Sequence, residues 1–312
     1  MGFELLNTLG KRREPFLFIS DFKAQKLEVI PLKNLSELDI EYSIQENYQY
    51  KKHPHKLTYT KPDFHKYSQK YEKVIEKIKS GETYILNLTQ PTEIDSTQTL
   101  HEIYRVANAH YKLRFKDEFV CFSPEKFIQI SDNKIHTFPM KGTIDASVES
   151  AHKRILEDTK EMAEHIMIVD LLRNDLSIVS KNVKVEKFRY TQEIDSGEKR
   201  LLQVSSHISG DLDNDWQDRI GTILQALLPA GSISGAPKKS TLEIIEELEE
   251  YERGFFSGVF GVFDGESLDS GVMIRFIEKQ GEGYVYKSGG GITLDSLASL
   301  EYEELLDKIY LP

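Results

Sequence analysis

An α+β fold built mostly of antiparallel sheets is what this sequence predicts, on three observations. Apolar runs of strand length come as neighbouring pairs, and the pair at 127–130 and 134–138 flanks Ser131-Asp132-Asn133, a hairpin signal. Helical periodicity falls between groups of strands rather than between every pair, which disfavours a doubly wound parallel sheet. The chain has 312 residues, 39% of them hydrophobic and 10% aromatic, enough to bury a sizeable core.

Residues 15–31 (PFLFISDFKAQKLEVIP) read as two strands joined by a turn. The stretch 36–62 is polar, tyrosine-rich and weakly patterned, as expected of a linker. Tyr71, Val74, Ile75 and Ile78 recur at helical spacing within 67–80, and Gly81 supplies the stop. Short strands are expected at 83–89 and 119–122. Helices are expected at 149–169, 216–227, 237–250 and 299–310, and further strands at 183–188, 201–205, 256–263, 271–278 and 283–287. The organisation expected is a short N-terminal segment, 1–66, contributing strands to a main domain, 67–312.

Composition narrows the function. Net charge is −11, from 40 Lys and Arg against 51 Asp and Glu, with no basic block to form a nucleic-acid face. No apolar run is long enough to span a bilayer. A single cysteine, Cys121, excludes an internal disulfide framework and fits a reducing compartment, so the cytoplasm is expected. An anionic substrate would need local cations or a metal.

Two acidic pairs stand out. Glu161 and Glu164 lie three apart in KEMAEHIMIVDLLRND, and Glu301 and Glu304 three apart in LEYEELLDK. Each pair shares a helix face. Facing one cleft, they would offer the hard oxygen ligands that Mg²⁺ prefers; facing water, they are ordinary solvated helix faces. Met162 and the run 166–172 make the first helix apolar nearly all round, so its glutamates need partners. The glycine-rich turn PAGSISGAPKKS (229–240) precedes a helix whose open N–H groups suit an anion, though it equally suits an ordinary cap. KSGGGITLDS (287–296) permits close backbone approach to a ligand, or simply a turn.

Taken in order, GETYILNLTQ, SPEKF, PMKGT, KEMAEHIMIVDLLRNDL, GSISGAPK, RGFFSGVFG, VMIRF and GGGITLDS…EYEE resemble the chorismate-utilising enzyme family, over about residues 67–308. Its members make anthranilate, aminodeoxychorismate, isochorismate or salicylate. The resemblance implies sheets sandwiched by helices around a chorismate cleft, with 67–312 as the catalytic domain. It implies Mg²⁺ as cofactor, with Glu164 and Glu304 as direct ligands and Glu161 and Glu301 acting through water. Arg275 would pair with a substrate carboxylate, a bidentate task suited to its planar fork. Ser232, Ser234 and Gly235, the amides near Gly290 and Gly291, Thr143, Gln203 and Lys238 would complete the substrate site.

Three positions discriminate within the family. Family members that add water carry a lysine base where this chain has Ile85, and ammonia needs no such base. Lys141 in PMKGT stands where anthranilate-forming members have alanine. A lysine amine adding at ring C2 and expelling the C4 hydroxyl sets up a second displacement at C4 by ammonia. Such a nucleophile must be partly neutral, so its pKa is expected to be lowered. Glu125 in SPEKF resembles the acid that protonates the departing hydroxyl, which requires a raised pKa. The expected reaction is therefore amination of chorismate to 4-amino-4-deoxychorismate, with anthranilate formation or an inactive chorismate-binding protein as alternatives. Two positions depart from the pattern: Phe256 replaces a tyrosine, and Gln203 replaces a histidine. Cys121 lies outside any glutaminase-type nucleophile turn, so ammonia is expected from solution or from a separate glutamine amidotransferase subunit. An LLES-type tryptophan motif is also not matched by the LLNT segment at 5–8, so no tryptophan feedback is expected.

Overall fold

The computed structural model describes residues 2–45, 57–195 and 200–312. The N-terminal segment begins with helix α1 (Gly2–Lys11), followed by strands β1 (Phe16–Ser20), β2 (Leu27–Pro31), β3 (Ile40–Ile44) and β4 (Thr58–Tyr59). Part of the expected linker, 46–56, lies outside the described residues. Helix α2 (Phe64–Lys79) precedes β5 (Ile85–Asp95), α3 (Leu100–Val106), β6 (Tyr111–Phe115), β7 (Phe119–Ser123), β8 (Lys126–Ser131), β9 (Lys134–Thr137) and β10 (Met140–Asp145). Helices α4 (Ala151–Glu157) and α5 (Thr159–Val179) lead to the hairpin β11 (Lys181–Asp195) and β12 (Arg200–Asp211). The remainder is α6 (Ile220–Leu227), β13 (Gly235–Ala236), α7 (Lys238–Leu248), β14 (Val259–Phe263), β15 (Leu268–Val272), β16 (Phe276–Gln280), β17 (Gly283–Ile292) and α8 (Ala298–Asp307).

The strands form two sheets, and the pairings described in both are antiparallel. One runs β10-β12-β9-β8-β15-β14-β1-β2, with β11 beside β12; the other runs β13-β5-β17-β16-β7-β6-β3, with β4 beside β5. The run FLFIS in β1 is buried throughout because it lies inside a sheet covered on both faces. Leu17 and Ile19 join Leu113, Phe119, Cys121 and Phe276 in an inter-sheet core, while Phe16 and Phe18 join the core under the helices. Alternate residues of one strand thus face different layers, as the pleat requires. The result is the expected α+β architecture of sheets sandwiched by helices.

Local chemistry sets the boundaries that matter for the site. The expected single helix at 149–169 is broken at Asp158, whose carboxylate caps α5 by accepting from Glu161 N at 2.9 Å. Helix α5 then continues to Val179, past the expected end, because Leu172 and Leu176 keep its inner stripe apolar. His165 docks α5 on β12, with Nε2 2.7 Å from Ser206 Oγ, and burial pulls its pKa down to about 4. The expected strand 271–278 is interrupted by Arg275, which has φ of 52° and separates β15 from β16. The expected helix 216–227 begins as a short 3-10 turn before α6. Helices α1 and α3 and strand β6 were not foreseen. The capping box of α3, Thr99 with Glu102, is a signal the sequence does carry.

A buried ion pair fixes the wall behind the site. Arg253 donates to both oxygens of Glu249 at 2.7 Å, and also to Ile233 O at 3.0 Å and Asn87 O at 2.6 Å. Glu249 in turn accepts from Thr89 N and Oγ1. This network ties the turn after α6 and the end of α7 to β5. Arg253→Ala leaves Glu249 charged and buried, and is expected to cost about 3–5 kcal/mol, read as a lower urea midpoint.

Candidate active site

A cavity of about 500 Å³ is lined by β10 of one sheet, β5 and β17 of the other, and residues of α5 and α8. Strand β10 contributes Met140 to Thr143, and β17 contributes a backbone floor at Ser288 to Gly291. Glu125, Ser232, Arg275 and Phe256 also line the cavity, as do Glu304 of α8 and Lys308 at its C-cap. A second cavity, about 490 Å³ beside α7, is lined by Phe22, Tyr251 and Arg253 and holds none of the expected site residues.

Glycines let the walls approach the side chains. Gly142 has φ of +94°, and a Cβ there would lie 3.1 Å from Glu161 Oε2. A Cβ at Gly291 would meet Ile85 Cδ1 at 3.3 Å and Lys141 Nζ at 4.0 Å. The aliphatic Ile85 therefore stands beside the Lys141 amine, on the cavity wall.

Two acid–base groups face this space. Glu125 accepts a short hydrogen bond from Ser232 Oγ. Burial raises the Glu125 pKa, against the opposing pull of Ser232, Arg275 and Lys308. Lys141 Nζ lies 2.7 Å from Glu164 Oε2. Burial acts to lower the Lys141 pKa, but Glu164, and more weakly Glu304 and Glu161, outweigh it and raise the value above that of an ordinary lysine. The expectation of a depressed pKa is corrected here: three carboxylates surround the amine, and the sequence does not reveal their joint field.

Arg275 is half-buried, its guanidinium 5.3 Å from the Tyr310 ring, and its Nε is shielded from solvent with no hydrogen-bond partner among the described residues. A cation with a shielded, unused donor beside a cavity is a ready anchor for a carboxylate. Lys308 adds a second cation, bonded to Glu304 at 2.8 Å and to Gly289 O at 2.7 Å, with a pKa lowered by burial. Sequence reasoning missed Lys308, although it lies four residues after Glu304, within salt-bridge reach on one helix face. It also missed Asn87, whose Oδ1 is buried without a hydrogen-bond partner in the cavity wall.

The four glutamates come to the same end of the cleft without forming a closed cage. Glu164 is only 5% exposed; Thr293 Oγ1 donates to its Oε1 at 3.4 Å, and Lys160 Nζ lies 3.8 Å from the same oxygen. Glu161 Oε2 is buried and has no hydrogen-bond partner among the described residues. Glu301 is buried beside Gly290 but does not line the cavity. Among the described residues, no three His, Cys, Asp or Glu side chains assemble into a metal-holding group. The donors are nonetheless of the right kind for Mg²⁺: hard carboxylate oxygens, one of them unused, on two facing helices. Lys141 and Lys308 hold Glu164 and Glu304 respectively.

The glycine-rich turn contributes less than expected. Ser232 and Ile233 line the cavity, whereas Ser234 is buried with its hydroxyl donating to Ala230 O. Gly235 pairs with Leu86, and its φ of +139° brings it so close to Ile85 O that no Cβ fits. The pairing bonds here are accepted by the flanking carbonyls, Ser234 O from Asn87 N at 2.9 Å and Ala236 O from Tyr84 N at 2.8 Å. Lys238 does not line the cavity and is bonded to Asp175 and Leu227 O, each at 3.0 Å. Thr143, Gln203, Gly290 and Gly291 all line the cavity.

The family described as chorismate binding enzyme matches residues 15–311. A Haemophilus influenzae protein named as PabA-like is 47% identical, covering 99% of this chain and 95% of that protein. Aminodeoxychorismate synthase component 1 of Bacillus subtilis is 31% identical over 78% of this chain, which spans about half (54%) of that relative's length. The crystal structure of anthranilate synthase component I from Streptococcus pneumoniae superposes with a TM-score of 0.69 at 27% identity, covering 85% of this chain and 60% of that one.

Proposed function

The chain belongs to the chorismate binding enzyme family, and from that premise we propose that it aminates chorismate at ring C4 to give 4-amino-4-deoxychorismate. The observation that carries the reading is the placement of Lys141 Nζ in the cavity wall, 2.7 Å from Glu164, rather than out in solvent.

Arg275 and Lys308 bind and orient the substrate carboxylates, and the glycine floor of β17 lets the ring lie close to backbone. Glu164 and Glu304 would hold Mg²⁺, with Glu161 and Glu301 through water; when bound, the ion supplies positive charge to a substrate carboxylate. Lys141 gives its proton to solvent and its neutral amine forms a bond to C2. The ring double bonds shift, the C4–O bond breaks, and the hydroxyl leaves as water with the proton of Glu125. Ammonia then forms the C4–N bond, the double bonds shift back, and the bond from C2 to Lys141 breaks, returning the amine. Glu125 is restored by the proton that the new ammonium group gives up. Ile85 supplies no base for water, which favours ammonia as the nucleophile.

Ammonia comes from a glutamine amidotransferase subunit, and the product feeds 4-aminobenzoate and folate synthesis in the cytoplasm. The test is the purified chain with chorismate, Mg²⁺ and ammonium, with products separated by chromatography. Aminodeoxychorismate is expected. Anthranilate would reassign the chain to its ortho-aminating relatives, and unconsumed chorismate would make it a binding protein.

A further inference from the structure

Glu164 is contested by cations. Lys141 holds one oxygen at 2.7 Å, while Lys160 and Thr293 approach the other. With the carboxylate almost fully shielded from water, these contacts keep much of their Coulomb strength. A magnesium ion would need a carboxylate oxygen at about 2.0–2.1 Å, with the remaining ligands in near-octahedral array. An ammonium and a dication on one shielded carboxylate repel each other strongly. One turn earlier on α5, the unused Glu161 Oε2 faces the open side of Gly142, next to Lys141 in the chain.

We propose that Lys141 and Mg²⁺ compete for Glu164, so that metal loading displaces the Lys141 side chain from this carboxylate towards the ring cavity. The proposal deepens the reading above and rests on its assignment of Glu164 as a metal ligand. Displacement has somewhere to lead: the amine already stands 4.0 Å from where a Gly291 Cβ would lie, on the cavity wall. One residue thereby links metal loading to delivery of the nucleophile. Family members with alanine in this slot would lack the link.

Calorimetric titration of Mg²⁺ into the full chain, without chorismate or ammonium, tests the competition separately from amination. Lys141→Met and Lys141→Gln should each bind Mg²⁺ about tenfold more tightly than the unmodified chain, or better. Lys141→Arg, which keeps the ion pair, should stay within about threefold. Glu164→Gln should bind about tenfold more weakly and erase the gain when combined with Lys141→Met. Unchanged or weaker affinity in both neutral variants overturns the proposal, as does a Lys141→Arg variant as tight as Lys141→Met, or no Mg²⁺ binding in any of them. Failure of amination with the affinity pattern intact would sink the reaction assignment and leave the competition standing.

Discussion

Replacing Lys141 with alanine is expected to lower 4-amino-4-deoxychorismate formation by about 10³-fold or more, while chorismate affinity falls only a few-fold. The amine is the one group proposed to bond the ring, whereas substrate anchoring is proposed for Arg275, Lys308 and the β17 floor, which line the same cavity. Truncation also leaves Glu164 without its nearest cation, so part of any loss in binding is electrostatic. Turnover measured at saturating ammonium, alongside chorismate binding by calorimetry, separates the two effects. A variant turning over within tenfold of the parent would remove Lys141 from the chemistry. A variant making anthranilate would show that the lysine sets where nitrogen enters the ring.

The second large effect is expected at Glu125. Glu125→Gln keeps an acceptor for Ser232 Oγ but cannot supply a proton, and should reduce turnover by about 10²–10⁴-fold. Burial holds the parent carboxyl protonated above the ordinary carboxylate range, so parental activity should fall as pH rises through this raised value. The variant should lack that limb. The stability sign is opposite to that of a salt-bridged carboxylate. The folded chain holds this proton more tightly than the unfolded one, so the group's contribution is fully present below the unfolded pKa and is lost as pH rises through the folded pKa. A neutral glutamine should therefore not lower the melting temperature at pH 7. A marked drop would point to a structural role for the carboxyl instead.

Strand and helix patterning was legible wherever one face is apolar. The hairpin of β8 and β9 around Asp132 and Asn133, and the helix containing Tyr71, Val74 and Ile78, follow from local periodicity. Helix α1 was not read from the sequence, because it is short and is held largely by packing against α6, more than 200 residues away. The engagement of Lys238 was not legible for a related reason. Its partner Asp175 lies on α5, and nothing in the PKKS segment shows that the amine is already engaged. Ser234 and Gly235 do not line the cavity, since the Ser234 hydroxyl is turned onto Ala230 O and Gly235 lies against Ile85 and Leu86 of β5.

By itself the sequence determined the fold class, the family and the positions of Lys141, Glu125, Arg275 and the two glutamate pairs, because each sits in a short ordered motif. Only the tertiary structure decided what these groups do to one another. Lys141 is raised rather than lowered in pKa, since β10 brings it against Glu164 and within the field of Glu161 and Glu304. Lys308 becomes a site residue because α8 turns it onto Gly289. Motifs are local in the chain, whereas electrostatic fields and hydrogen-bond partners depend on distances in space, which exist only once the sheets and helices have packed.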